Sequence, residues 1–148
     1  MVNGRVVSGK WSSEGEAMAG NGETHSQNFE QLECWRACRE LRIFVTRTVI
    51  PLLPVCEKFR LVDQLIRAAR SATANVAEGD GRFHYQDNAK FCRNARGSCK
   101  EVLDHLITAH DEGMLTDEAL LDGRILVETA AKLLSAYIRY LIKAQRSD

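Results

Sequence analysis

The spacing of apolar residues from Phe29 onward is the feature that most limits what this chain can fold into. These residues recur at steps of three and four, the period of one helix face, and no segment alternates convincingly with the period of two that a strand requires. They predict a first helix that Pro51 and Pro54 bring to an end, because proline breaks a helix interior. The stripe consists of Phe29, Leu32, Trp35, Cys38, Leu41, Val45, Thr48 and Leu52.

Three more helical segments follow the first. The second is predicted over residues 55–78, with Gly79 as a left-handed cap at its C-terminus. The third is predicted from residue 84 or 85 to residue 112, and Gly113 closes it. The fourth begins after Thr116, whose hydroxyl can accept hydrogen bonds from the first free amides of a helix.

The domain organisation predicted from these segments is one folded domain with a tail. Long helices with short connections are typical of an up-and-down antiparallel four-helix bundle, so residues 29–148 are predicted to form an all-α bundle. Residues 1–28 hold five of the ten glycines, and their few apolar residues follow neither period. Such a segment buries too little apolar surface to offset its ordering entropy, so we predict a flexible tail in which Trp11 is the one candidate anchor.

Length and charge limit the class of protein further. A chain of 148 residues is long enough for one domain with a hydrophobic core. Its 20 Lys and Arg residues balance 20 Asp and Glu residues, so any nucleic-acid contact must come from a local patch. No apolar run is long enough to cross a membrane, and the first residues lack the apolar region of a signal peptide, so we expect a cytoplasmic protein.

The five cysteines fit the same compartment. Their number is odd, no Cys-x-x-Cys pair occurs, and they lie among apolar residues, which predicts reduced thiols in the core. A metal site is the alternative, because Cys34 and Cys38 share one helix face, as do Cys92 and Cys99. No histidine or further cysteine pair completes the spacing of a zinc site, so we predict core thiols for all five, including Cys56.

Glu101, Asp104 and His105 form the best candidate for a catalytic or metal site, with His110 nearby. A carboxylate di-iron bundle needs a Glu-x-x-His motif on two helices, whereas His105 follows Glu101 by four residues and has no counterpart. A hydrogen-bonded histidine at the edge of the core is the favoured interpretation. We therefore predict no catalytic residues, no metal and no cofactor, and keep a small metal- or ligand-binding enzyme as the alternative.

A largely polar stripe along the second helix predicts a contact with another helix. It holds Gln, Ser and Asn, and short polar side chains fix the register of a helix contact by hydrogen bonds. Gly97 lies beside Ala95 and Ser98 on the third helix, and a glycine there costs about 1 kcal/mol relative to alanine, which predicts that another helix approaches closely, within or between subunits. The stripe consists of Glu57, Leu61, Gln64, Ala68, Ser71, Asn75 and Glu78.

The third helix also separates its charges along its length. Acidic side chains in its last turn oppose the helix dipole, so helix stability did not select this order. Its first half, with the loop before it, is predicted to contact phosphates, while a solvated face and a contact with a neighbouring subunit are the alternatives. The predicted patch consists of Arg82, Lys90, Arg93, Arg96 and Lys100, and the acidic residues are Glu101, Asp104, Asp111 and Glu112.

Four motifs occur in order along the predicted bundle. They are Phe29-x-x-Leu32-x-x-Trp35, Pro54-x-x-Glu57-x-Phe59-x-Leu61-x-x-Gln64-Leu65-x-Arg67-Ala68, Ser71-x-x-x-Asn75-Val76-Ala77-Glu78-Gly79 and Ala95-x-Gly97-Ser98-x-x-Glu101. In this order and spacing the sequence resembles the four-helix-bundle family of bacterial 23S ribosomal RNA intervening-sequence proteins. The resemblance extends from Phe29 to Lys143.

This resemblance implies an assembly and a set of partners. Family members form up-and-down bundles that assemble as homopentameric rings, and a related branch, the accessory variability protein of diversity-generating retroelements, binds a reverse transcriptase and nucleic acid without catalysing a reaction. We therefore expect a non-enzymatic homopentameric scaffold in an RNA- or DNA-linked process. The retroelement branch is strongly basic and this chain is neutral, so fold and assembly carry over best. The family signature, expected at helix contacts, consists of Ser71, Asn75, Glu78, Gly97, Ser98 and Glu101.

Overall fold

All regular structure in the described part of the chain is helical. The computed structural model describes residues 28–147, and no strand occurs among them. The tail predicted over residues 1–28, with Trp11, lies outside the described residues except for Asn28. A short 3-10 turn comes first, followed by the four long helices that the apolar spacing predicts: α1 (Glu33–Phe44), α2 (Leu61–Asp80), α3 (Tyr85–Asp111) and α4 (Asp117–Gln145).

The four helices pack around one core as a four-helix bundle. Each helix packs against the next in the chain, and α1 also packs against α4, which closes the arrangement. Short connections make α2, α3 and α4 antiparallel neighbours: near the start of α3, the Asn88 Nδ2 donates a hydrogen bond to the Tyr137 hydroxyl, near the end of α4 (3.3 Å). None of the helices in the described range has the length and apolar character needed to span a membrane. The largest fully buried side chains are those of Leu41, Leu65, Leu106, Leu134 and Leu141.

The end of α1 differs from the prediction because the helix widens there. The backbone forms a π-helical turn over Val45–Val49, in which the amide of Ile50 bonds to the carbonyl of Val45. Such a turn contains more residues than an α-helical turn, so the buried stripe continues from Val45 to Val49 and Leu53. Thr48 and Leu52, which were expected in the core, are exposed.

The second helix begins later than predicted. Val55–Glu57 form a separate 3-10 turn, and α2 starts at Leu61. The Glu57 carboxylate accepts a hydrogen bond from the Leu61 amide (3.2 Å). This side chain therefore caps one of the backbone amides that have no partner within the first turn of a helix.

Two glycines that were both predicted to end helices have different roles. Gly113 has a φ of +76°, and the bonds from its own amide to the His110 carbonyl and from the Met114 amide to the Ala109 carbonyl form a Schellman motif, as predicted. The left-handed cap predicted at Gly79 is wrong. Gly79 is buried inside α2, where a Cβ would lie 2.7 Å from the Asn88 Oδ1 and 3.0 Å from the Phe91 Cβ. Its missing side chain therefore allows α2 and α3 to approach closely.

The cap predicted at the start of the fourth helix is confirmed. The Thr116 Oγ1 accepts a hydrogen bond from the Ala119 amide at 3.2 Å. Asp117 and Glu118 occupy the first turn, where acidic side chains interact favourably with the helix dipole.

Replacing Gly79 by alanine tests the close approach of α2 and α3. We expect Gly79→Ala to lower the free energy of unfolding by about 1–3 kcal/mol, because the methyl group overpacks the contact. Gly81→Ala is the matched control, since its Cβ would lie 3.5 Å from the nearest atom and its φ of −74° suits alanine. Urea unfolding followed by circular dichroism measures both variants. Equal loss of stability in the two would contradict the close approach.

Candidate functional site

A chain of hydrogen bonds joins α2 to α3 at the polar stripe. The Asn75 Nδ2 donates to the Ser71 Oγ at 3.0 Å, and the Ser71 and Ser98 hydroxyls lie 2.9 Å apart. The Ser98 hydroxyl also lies 3.1 Å from the Asn94 carbonyl, which can only accept. Asn75 therefore donates to Ser71, Ser71 donates to Ser98, and Ser98 donates to the Asn94 carbonyl. The predicted helix contact is confirmed at these residues, and it lies within one chain.

The other polar members of the stripe have separate roles. Gln64 is exposed, and the Glu78 carboxylate pairs with the Arg82 guanidinium at 2.5 Å, on the surface just beyond the end of α2. Ala68 and Leu61 belong to the core. Hydrogen bonding across the α2–α3 contact is therefore concentrated at the two serines.

The close approach predicted at Gly97 is wrong within the chain. Gly97 is exposed on α3, and a Cβ built there would meet no atom of residues 28–147 within 4 Å apart from the backbone of its own helix turn. The neighbouring Ala95 is buried, and Ser98 faces α2 through its bond to Ser71. A contact between subunits at Gly97 stays a prediction.

The candidate metal site contains one bonded pair. The His105 Nε2 lies 3.3 Å from the Glu101 Oε1, and the histidine side chain is only 14% exposed, which agrees with a histidine at the edge of the core. Asp104 is exposed and forms no ion pair with them. Over residues 28–147, no group of three or more His, Cys, Asp or Glu side chains is placed to hold a metal ion.

His110 contacts the next helix. Its Nε2 lies 2.5 Å from the Asp117 Oδ1, so it links the end of α3 to the start of α4. This contact spans the connection that contains Gly113.

The cysteines are core thiols with one exception. Cys34, Cys38, Cys92 and Cys99 are buried, as predicted. Burial raises the pKa of the Cys34 thiol to about 12 and that of Cys92 to about 11, so both stay protonated at neutral pH and are poor metal ligands. Cys56 is exposed, contrary to the prediction, because it lies in the 3-10 turn before α2.

Three members of the predicted basic patch share the surface of α3. Lys90, Arg93 and Lys100 are exposed. Arg96 is half-buried, and its Nη1 donates a hydrogen bond to the Ser135 hydroxyl on α4 (3.0 Å). Arg82 pairs with Glu78, and its guanidinium lies over the Phe91 ring, 4.8 Å from its centroid. The patch on α3 is therefore smaller than predicted.

Helix α4 extends the basic surface, which the sequence interpretation missed. Antiparallel packing places the last residues of α4 beside the first half of α3, and residues 129–147 contain four basic and no acidic residues. We call residues 85–100 with 129–147 the basic half of the α3–α4 hairpin. It contains one acidic residue, Asp87, and eight basic ones: Lys90, Arg93, Arg96, Lys100, Lys132, Arg139, Lys143 and Arg146.

The other end of the hairpin has the opposite charge. We call residues 101–112 with 117–128 the acidic half, and it contains one basic residue, Arg124. Its eight acidic residues are Glu101, Asp104, Asp111, Glu112, Asp117, Glu118, Asp122 and Glu128. A charge count for each half of each predicted helix would have revealed this separation, which the neutral total conceals.

Comparison with known proteins identifies one family. The family model described as 23S rRNA-intervening sequence protein matches residues 30–136, a range that contains α1, α2 and α3 and most of α4. No curated protein matches the sequence.

A double-mutant cycle tests the bond between the two serines. We expect Ser71→Ala and Ser98→Ala to show a coupling energy of about 0.5–1.5 kcal/mol in urea unfolding, because either change removes the shared hydrogen bond. The control cycle combines Ser71→Ala with Thr129→Ala, because the Thr129 hydroxyl bonds to the Ile125 carbonyl within α4 and not to Ser71. A serine coupling no larger than the control coupling would contradict the bond.

Proposed function

The chain belongs to the family of 23S rRNA-intervening sequence proteins, and we propose that it is a non-enzymatic scaffold that binds RNA through the basic half of the α3–α4 hairpin. The family description names ribosomal RNA, which makes RNA the first candidate among polyanions. The separation of charge along the hairpin is the observation that carries the proposal.

The order of charges in α3 works against the stability of the free chain in two ways. Its acidic residues lie toward its C-terminus, where the helix dipole favours positive charge. Because α4 is antiparallel to α3, each charged cluster on α3 also lies beside a cluster of the same sign on α4. The reverse order in α3 would remove both costs. A polyanion bound to the basic half offsets the repulsion among the cations, because it neutralises the crowded positive charges.

The exposed cations of the basic half have the chemistry of a phosphate-binding surface. Lysine and arginine side chains bind phosphates and release the counterions that surround a nucleic acid, so affinity depends strongly on salt and weakly on base sequence. Seven of these side chains are exposed, and they are those of Lys90, Arg93, Lys100, Lys132, Arg139, Lys143 and Arg146.

We propose that several copies of the chain assemble, with the homopentamer as the expected state. Gly97 supports this, since an exposed glycine in a helix interior is unfavourable unless another backbone approaches it. Leu121 and Ile125 also support it, because these large apolar side chains are exposed four residues apart on α4.

A ring would concentrate the basic surface. Cyclic symmetry rotates every copy about one axis, so the basic halves of all copies would lie at the same height along that axis and at the same distance from it. Several weak phosphate sites on one ring gain avidity for one RNA molecule, which removes the need for a high net charge.

A small metal-binding enzyme is the alternative function, and the contact between Glu101 and His105 is the observation in its favour. Metal analysis of protein purified without chelator separates the two functions. Stoichiometric iron, manganese or zinc that is lost in His105→Ala would favour the enzyme over the scaffold.

A protein partner is the other way in which this chain could be linked to nucleic acid. A reverse transcriptase is the partner that we consider, and the acidic half offers a surface complementary to a basic protein. A reverse transcriptase gene next to the gene for this chain would favour that role, whereas a ribosomal RNA locus would favour the role in the name of the family.

Binding of RNA should depend on the basic half. We expect Lys90→Glu with Arg93→Glu to weaken binding of a fluorescein-labelled structured RNA at least tenfold, because both exposed cations become repulsive to phosphate. Anisotropy measured between about 50 and 200 mM salt should show a steep loss of affinity for the unmodified protein and a shallower one for the variant. Arg96 is excluded from the variant because of its bond to Ser135.

The control for this experiment makes the same charge change on α1 and in the π-helical turn that follows it. Arg39→Glu with Arg47→Glu also replaces two exposed arginines, outside the basic half. Equal loss of RNA binding in the two double variants would show a general charge effect and contradict the proposed surface.

Assembly should depend on Gly97. We expect light scattering to report about five copies, and we expect Gly97→Leu to dissociate them, because a large side chain would separate the approaching helices. Helicity should be unchanged, since the new side chain meets open space within its own chain. Tyr140→Leu is the matched control: it places a leucine at an exposed position of α4 that already carries a large side chain. A monomer at micromolar concentration would contradict the assembly.

A further inference from the structure

The start of α3 and the end of α4 enclose a groove at the basic end of the bundle. Two cavities of about 420 and 440 Å³ share Gln86 and Gln145 in their walls, so they lie next to each other. Ala89 and Ile142 lie in the wall of the smaller one. Together the cavities have the size of a small-molecule site or of a few linked units of a polymer.

Aromatic side chains line the cavity of about 440 Å³. Phe83, His84 and Tyr85 follow one another there. The Phe83 side chain is 95% exposed, and its ring contacts the His84 ring edge to face, with 5.1 Å between the centroids. One face of the phenylalanine ring is therefore available for a flat partner, at a position where exposure of a large apolar side chain is unfavourable.

The cavity of about 420 Å³ is cationic. Arg93 on α3 and Arg146, directly after α4, lie in its wall, and among residues 28–147 no carboxylate lies in the wall of either cavity. Asp87 is the only acidic residue of the basic half and is exposed one turn from Lys90. Positive charge beside a cavity with aromatic walls is complementary to a chain of phosphates that carries unpaired bases.

We propose that this groove binds single-stranded RNA, with a base stacked on Phe83 and the adjoining phosphates held by Arg93 and Arg146. The Gln86 and Gln145 side-chain amides can donate to and accept from the edge of a base. Duplex RNA keeps its bases stacked on one another, so it can use the arginines but not the exposed Phe83 ring. The inference rests on the proposed function and adds to it a site and a preference for unpaired RNA.

The test compares three labelled probes by fluorescence anisotropy: an oligouridine of about 20 nucleotides, a duplex RNA and an oligothymidine of the same length. We expect the full-length protein to bind oligouridine at least tenfold more tightly than the duplex and no more weakly than oligothymidine. Tighter binding of the duplex or of oligothymidine would overturn the assignment to single-stranded RNA.

Phe83→Ala separates the groove from the wider basic surface. Loss of one stacked base predicts a 5- to 100-fold weaker affinity for oligouridine, roughly the range measured for such contacts, with duplex binding unchanged. Phe83→Trp retains a stacking surface, so it should restore the affinity for oligouridine. Phe59→Ala is the matched control, because Phe59 is 84% exposed in the turn before α2, at the opposite end of that helix from Phe83.

The possible failures are distinguishable. If Phe83→Ala binds oligouridine as tightly as Phe59→Ala, while Lys90→Glu with Arg93→Glu loses RNA binding, the groove inference is overturned and the proposed function stands. If the unmodified protein binds none of the three probes at low salt, the proposed function fails, and the groove inference fails with it.

Discussion

The close approach of α2 to α3 is the contact on which the rest of the bundle depends. Gly79 allows the backbone of α2 to lie against Asn88 at the start of α3, and the bond between Ser71 and Ser98 sets the register about two turns away. Asn88 also donates to Tyr137, so the side chain that packs against Gly79 also contacts α4. Burial raises the pKa of the Tyr137 hydroxyl to about 12. The alignment of α3 with α4, and with it the basic half, follows from this set of contacts.

That alignment turns a neutral chain into a strongly polar molecule. Neither α3 nor α4 has an unusual total charge, but their antiparallel packing places cations beside cations and carboxylates beside carboxylates. The order within α4 agrees with the helix dipole, as Asp117 at its start and Lys143 at its end illustrate, whereas the order within α3 opposes it. Stability alone would select the opposite order in α3, and this cost is the reason for the proposal that the surface serves an interaction.

Local signals were sufficient for most of the fold. The apolar stripes specify four helices because each helix must bury one face, and Thr116 and Gly113 mark helix ends because their own backbone and side-chain chemistry terminates a helix. The positions that sequence interpretation placed wrongly depend on packing between helices. The π-helical turn moves Thr48 to the surface, Gly79 serves a helix contact instead of a cap, and Cys56 lies in a turn that was taken for helix.

The same division applies to the candidate site. The sequence by itself determined that the chain is helical, that α2 carries a polar stripe with Ser71 and Asn75, and that the first half of α3 is basic. Only the tertiary structure decided that Arg96 bonds to Ser135, that Gly97 faces open space, and that the end of α4 completes the basic half. The physical reason is that the period of a helix is a property of neighbouring residues, whereas a charged surface or a close contact joins residues far apart in the chain.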